Sequence, residues 1–212
     1  MSSITIVAIS RSKAIHCTTL HSLMNIHMFC IIKNIHMDVH FVKDRSTLPK
    51  LIKNGDRLLF FEYGASINQE CIATMCSPFP TGYQVMVFPA VKEGINWDKF
   101  KKLTTEPAGQ RGLEFDTEVD RQIGESVWSV KSTEAMVWAM DCKPVDKKTR
   151  AAKDTVKLPL DSSKAFFDTL SNTGIKMCAC TAARCIIHYT HECFGNILES
   201  AGINLQNGPA HS

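Results

Sequence analysis

Residues 57–64, Arg-Leu-Leu-Phe-Phe-Glu-Tyr-Gly, decide how this chain reads. Leu58 to Phe61 are apolar without a break, which suits a strand covered on both faces inside an α/β sheet better than a half-exposed one. Glu62 follows at once, and Gly64 then allows a turn. Open α/β sheets bind ligands outside the carboxyl ends of their strands. A carboxylate at that mouth is therefore the most informative local feature of the chain.

Working outward, the same alternation of strand and helix recurs. ITIVAI (4–9) is a β-branched run at the start, and residues 15–33 carry Leu20, Leu23, Met24, His27, Met28, Ile31 and Ile32 at helical spacings. DVHFV (38–42) predicts a second strand, which ends in Lys43, Asp44 and Arg45. A short helix from Thr47 to Lys53 and an Asn54-Gly55 turn lead into the central segment. Beyond it we expect a helix over 67–75 and a strand over 83–88, closed by Pro89. The order β-α-β-α-β-α-β predicts an α/β, Rossmann-like domain: one unit over 1–204, with a mainly parallel mixed sheet flanked by helices. The tail 205–212 reads as a linker, leading to a further module of the same polypeptide.

The second half is less regular. Residues 92–125 read as a long loop with one short helix near Trp97 to Leu103. Strands are expected at 127–130 and 135–140, then a basic, mobile stretch over 143–157. Ser162 or Ser163 caps a helix that Gly174 stops, residues 175–180 form a last strand, and Thr181 opens a final helix to about Ala201.

Composition narrows the function classes. Of 212 residues 44% are hydrophobic and 21% charged, the balance of a globular chain. The net charge of +3 is dispersed among acids, which argues against a nucleic-acid partner. The N-terminus lacks a signal-peptide pattern and no apolar run is long enough to span a bilayer, so a cytoplasmic protein without an integral membrane segment is expected. Nine cysteines without a regular framework point to reduced thiols.

Several residues have the chemistry of a site. The turn after the first strand, VAISRSKA, lacks a glycine-rich phosphate fingerprint, but Arg11 is suited to phosphate oxygens. Glu62 is an oxygen ligand for a hard divalent cation. Asp141, at the end of AMVWAM, is a candidate catalytic carboxylate for the same crevice; Glu93, Asp116, Glu118 and Asp120 are rivals. Trp97, Trp128 and Trp138 are the right type to stack on sugar, though strand and helix positions favour core packing. The stretch CACTAARCIIHYTHEC clusters Cys178, Cys180, Cys185, His188, His191 and Cys193, which gives an alternative, a zinc-stabilised binding module without catalytic activity; the spacing matches no standard finger.

VAISR, KDR and RLLFFEYG, each ending a strand in this order, resemble the GT-A glycosyltransferases. TLHSLMNIHMFCIIKNI, VFPAVKEGINW, VWAMDCKPV and HYTHECFGNILESAGI are similar to capsid-glycosylating transferase domains of chlorella viruses. The resemblance implies a UDP-sugar donor, Mn²⁺ or Mg²⁺, and a glycan acceptor destined for capsid protein, with the reaction in the host cytoplasm. By position it places Ala8, Ile9, Ser10, Arg11, Asp44, Arg45 and Tyr63 at the nucleotide, and Glu62 with a late His191 at the metal. Glu62-Tyr63-Gly64 departs from the family's Asp-x-Asp, since glycine stands at the second acid. Asp141 and Glu93 are the catalytic candidates, and the stereochemical course stays open with a lean to retention.

Overall fold

The computed structural model describes residues 3–92, 101, 113–152 and 157–188. An eight-stranded sheet runs in the order β2-β1-β3-β8-β5-β9-β7-β6. Its members are β1 (Ser3–Ile9), β2 (His36–Val42), β3 (Arg57–Phe61), β5 (Val85–Val87), β6 (Thr117–Gly124), β7 (Val127–Thr133), β8 (Val137–Asp141) and β9 (Met177–Cys180). β4 (Ala65–Ile67) pairs apart from it with β10 (Cys185–Ile187). β2, β1, β3, β5 and β9 share one direction, and β8 is opposed between β3 and β5. The expected mainly parallel mixed α/β sheet, flanked by helices, is what forms.

Side-chain alternation along the central strands makes two cores. Ile4, Ile6, Ala8, Leu59 and Phe61 face α1 (Cys17–Ile32) and α3 (Ile72–Cys76). Val7, Ile9, Leu58 and Phe60 face the other way, onto α2 (Leu48–Asn54), α4 (Cys142–Ala151) and α5 (Ser163–Asn172). Because successive strand side chains point to opposite faces, a run such as Leu58–Phe61 must be apolar throughout to fill both layers. Trp138 centres the second core, stacked on Phe60 at 4.9 Å and on Phe166 at 5.6 Å between ring centroids.

Helix boundaries follow local chemistry. The Ser162 side chain accepts from the Ala165 amide at the start of α5, and Gly174 leaves the helix at φ 75°, the left-handed conformation that glycine adopts freely. α1 forms as predicted but turns a different face inward. It buries Thr19, Ser22, Leu23, Ile26 and Cys30, while Leu20, Met24, Met28, Ile31 and Ile32 are exposed. Thr19 donates to the Ala65 carbonyl and Ser22 to that of Ile67, so polar groups are satisfied on the packed face.

Four expected segments are corrected. Residues 65–67 are strand, and the helix expected over 67–75 is confined to 72–76. The long loop of 92–125 contains β6. The basic stretch contains α4, with Pro144 tolerated in its first turn and Arg150 paired to Asp146 one turn back at 2.8 Å. The final helix does not begin at Thr181, because 185–187 pair with β4; its remainder, and the short helix near Trp97 apart from Lys101, lie outside the described residues. Among the described residues no helix is long and apolar enough to cross a membrane.

Trp138→Ala removes the ring that Phe60, Phe166 and Phe167 pack against. It is expected to cost about 3–5 kcal/mol, read as a lower urea midpoint with an unchanged slope.

Candidate functional site

β1, β2 and β3 are adjacent and parallel, so their carboxyl ends open at one edge of the sheet. A cleft of about 340 Å³ lies there, lined by Ile9, Arg11, Lys43, Asp44, Arg45 and Glu62 from the strand ends, and closed by Leu160, Asp161 and Ser163 ahead of α5. Another cavity, of about 400 Å³, lies between α1 and the β4–β10 ribbon, but its walls carry no carboxylate and one guanidinium, Arg184. Of these two, the strand-end cleft is the one that gathers charge.

Arg45 organises it. Its Nη2 donates to Glu62 Oε2 at 2.9 Å and to Ser163 Oγ at 2.6 Å, and its guanidinium lies 5.0 Å from the Phe60 ring centroid. Both ion-pair partners are largely covered, with side chains 12% and 21% exposed. The other Glu62 oxygen accepts from the Tyr63 amide at 3.3 Å. Asp44 turns back on its own loop, where the Ser46 side chain and amide hold its carboxyl below the usual range. Lys43 is exposed and makes no ion pair among the described residues.

β1 ends in a tight turn. Arg11 and Ala14 exchange backbone hydrogen bonds at 3.0 and 2.8 Å across Ser12 (φ 50°) and Lys13 (φ 62°). Two left-handed residues without glycine cost roughly 1 kcal/mol each, so the turn is held by its surroundings. It sets the Arg11 guanidinium 5.1 Å from the Tyr63 ring centroid. Tyr63 in turn meets His16 edge-on, and His16 stacks on His188 at 5.3 Å.

Of the residues expected at the nucleotide, Ile9, Arg11, Asp44 and Arg45 line the cleft with Glu62, and Tyr63 borders it through Arg11. Ala8 is fully buried in the core beneath α1, and the Ser10 hydroxyl is spent on the Val42 carbonyl at 3.2 Å. Asp141 does not share the crevice with Glu62. β8 is antiparallel to β3, which brings Val137 beside Phe61 and Asp141 beside Arg57, about 13 Å away along the strand at 3.3 Å per residue. There it accepts from Arg57 at 2.7 and 3.0 Å. Glu93 and His191 lie outside the described residues. Glu118 pairs with Lys131, and Trp138 is core. The walls supplied by Leu160, Asp161 and Ser163 were missed, because the only local signal there is a helix cap.

Asp116 does not line the cleft, but it shares a backbone neighbour with Glu62. Met136, whose carbonyl accepts from the Glu62 amide, also acts on the Asp116 carboxylate through its backbone. Asp116 Oδ1 accepts from the Ala90 amide and the Thr117 hydroxyl, while Oδ2 is buried without a hydrogen-bond partner among the described residues. Burial holds this carboxyl above its usual range.

Among the described residues, those at Glu62 do not by themselves form a divalent-cation site, and His191, the other expected ligand, lies outside them. Such an ion takes six or more oxygen ligands, and Glu62 offers one carboxylate whose oxygens are engaged by Arg45 and Tyr63. Gly64 cannot be exchanged for a second acid, since a Cβ there would stand 2.5 Å from the His188 carbonyl oxygen. No group of three histidine, cysteine, aspartate or glutamate side chains among the described residues is arranged to hold a metal. Of the proposed zinc cluster, Cys178 and Cys180 are buried in β9, Cys185 is half-buried on β10 and His188 is exposed beside His16, while His191 and Cys193 lie outside the described residues.

With this geometry in view, the fold has a parallel among solved structures. GalNAc-T7, solved with UDP, GalNAc and Mn²⁺, superposes with a TM-score of 0.53 at 10% identity, over 89% of this chain and 44% of that one. A197 from STIV (TM-score 0.48, 10% identity, 89% and 86% covered) and a 4-diphosphocytidyl-2C-methyl-D-erythritol synthase from Anaerococcus prevotii (0.44, 11%, 94% and 99%) are also similar. The likeness to GalNAc-T7 is one of fold: this chain has a GT-A-like architecture. No protein-family model matches the sequence, and no curated relative does.

Two outcomes follow. Gly64→Ala forces a left-handed alanine against His188 and is expected to lose more than the roughly 1–2 kcal/mol of the backbone term alone, measured by urea unfolding. For Asp116, the unfolded chain releases the proton in the ordinary carboxylate range while the folded chain keeps it to higher pH. Stability from this residue is therefore greatest below that range and declines as pH rises towards the folded value. Urea midpoints measured across pH 4–8 should show the native protein losing ground to Asp116→Asn as pH rises.

Proposed function

We propose that this protein is a glycosyltransferase that takes a sugar from a UDP-sugar donor. The observation that carries the reading is the cleft at the joined ends of β1, β2 and β3, where Arg11, Lys43 and Arg45 converge in a GT-A-like fold. Ligands of open α/β sheets bind at that place, and guanidinium groups match phosphate oxygens. Tyr63 beside Arg11 offers an aromatic face at the rim. On this reading the anomeric carbon passes from a diphosphate oxygen to an acceptor hydroxyl. The C–O electron pair leaves with the diphosphate, and the hydroxyl gives up its proton. The resemblance in sequence to chlorella-virus transferases supports an acceptor glycan destined for capsid protein, and a hexose as the transferred group.

A ligand that binds only the folded state stabilises it. UDP at a hundredfold excess over its Kd is expected to raise Tm by about 5–10 °C, with GDP and CMP giving less. Release of UDP from a panel of UDP-sugars checks turnover. No shift with any nucleotide, together with no UDP release, would overturn the proposal.

A further inference from the structure

We infer that the diphosphate in this cleft is held by Arg45 and Lys43 in the role that a divalent cation would otherwise fill, so that nucleotide binding does not require metal. The inference rests on the reading of the cleft as a nucleotide-sugar site.

Three observations lead there. First, Glu62, the acid at the expected metal position, already has a cation. Its Oε2 lies 2.9 Å from Arg45 Nη2, in a pair whose side chains are mostly covered. A metal at Glu62 would have to displace or repel that guanidinium. Second, Arg45 is fixed with capacity to spare. Both its hydrogen bonds, to Glu62 and Ser163, leave from Nη2, whereas a guanidinium has five N–H donors in a planar fork. Nε and Nη1 make no hydrogen bond among the described residues, and Phe60 beneath the plane and Ser163 at its edge hold the fork in place. A preorganised fork of this kind suits the paired oxygens of a phosphate. Third, Lys43 stands two residues away on the same wall as an exposed ammonium without an ion pair among the described residues.

The cleft also carries three carboxylates, and each has its own compensation. Glu62 has Arg45, and Asp44 has the Ser46 amide and hydroxyl. Asp161 stands just ahead of the α5 N-terminus, whose partial positive charge offsets an acid there. Their charges do not fall together as a ligand set. The groups that meet an incoming dianion are the Arg45 fork and Lys43, with Arg11 beside them at the end of β1. Glu62 thereby becomes a positioning residue, acting on the phosphate through Arg45.

Calorimetric titration of the full chain with UDP, in EDTA and in Mn²⁺, tests this. The Kd is expected to agree within about twofold between the two buffers. Lys43→Gln, at an exposed position, should weaken UDP about tenfold, as loss of one charge-assisted contact does, and weaken uridine by less than twofold. Glu62→Gln, which loosens Arg45, should weaken UDP by the same factor in both buffers. UDP binding that appears only with Mn²⁺ and vanishes in Glu62→Gln would overturn the inference while leaving the transferase reading standing. No UDP binding in either buffer would overturn that reading itself.

Discussion

Strand β3 has no side that faces water, and the position of the site follows from this. Leu58 and Phe60 fill one core, Leu59 and Phe61 the other, and β1 and β8 take its backbone hydrogen bonds on both edges. A polar side chain anywhere within the strand would be buried without a partner, at a cost of several kcal/mol for a charge even after relaxation. β1 obeys the same rule from Ile6 to Ile9. Polar chemistry can begin only where these strands stop, so Arg11 and Glu62 emerge together because the hydrophobic layers end together.

The cleft is then set by packing on one face of the sheet. Phe166 and Phe167 seat α5 against Trp138, and that seating carries Ser163 to the strand ends, where it accepts from Arg45. Arg45 comes from the turn after β2, and Phe60, the last ring of the second core on β3, supports its guanidinium. Half-buried charges survive only when paired and hydrogen-bonded, and the Arg45–Glu62–Ser163 arrangement meets both conditions. A core residue such as Trp138 thus reaches the site through two contacts, without touching any ligand.

The sequence carried the first half of this architecture in plain form. β-branched and apolar runs marked β1, β3 and β5, and charges at 43–45 and 62 marked the edge where a cleft opens, because burial on two faces leaves a continuous apolar signature. Where an element is covered on one side only, the signal failed. α4 buries little beyond Cys142 and Val145 among lysines, so its charge reads as loop. Cys185–Ile187 are three residues, too short for their period to separate strand from helix. α1 was legible as a helix, but being apolar on most sides it gave no indication of its inner face, which is marked by Thr19 and Ser22. Asp141 shows a different limit: its place at a strand end was readable, but strand direction depends on pairing with β3 and β5. An antiparallel strand delivers its last residue to the opposite edge.

Gly64 joins these levels. A reading by pattern treats it as a missing acid, whereas the structure gives it a role of its own. Its carbonyl accepts from the His188 amide at 2.9 Å, its φ of 76° suits glycine, and the His188 carbonyl fills the space a side chain would need. This close approach aligns β10 on β4 and brings His188 onto His16, the N-cap of α1. The segment after β9 is thereby fastened directly behind Glu62. A second carboxylate at position 64 and this main-chain junction are mutually exclusive. The chain has the junction, and Arg45 supplies the positive charge beside Glu62.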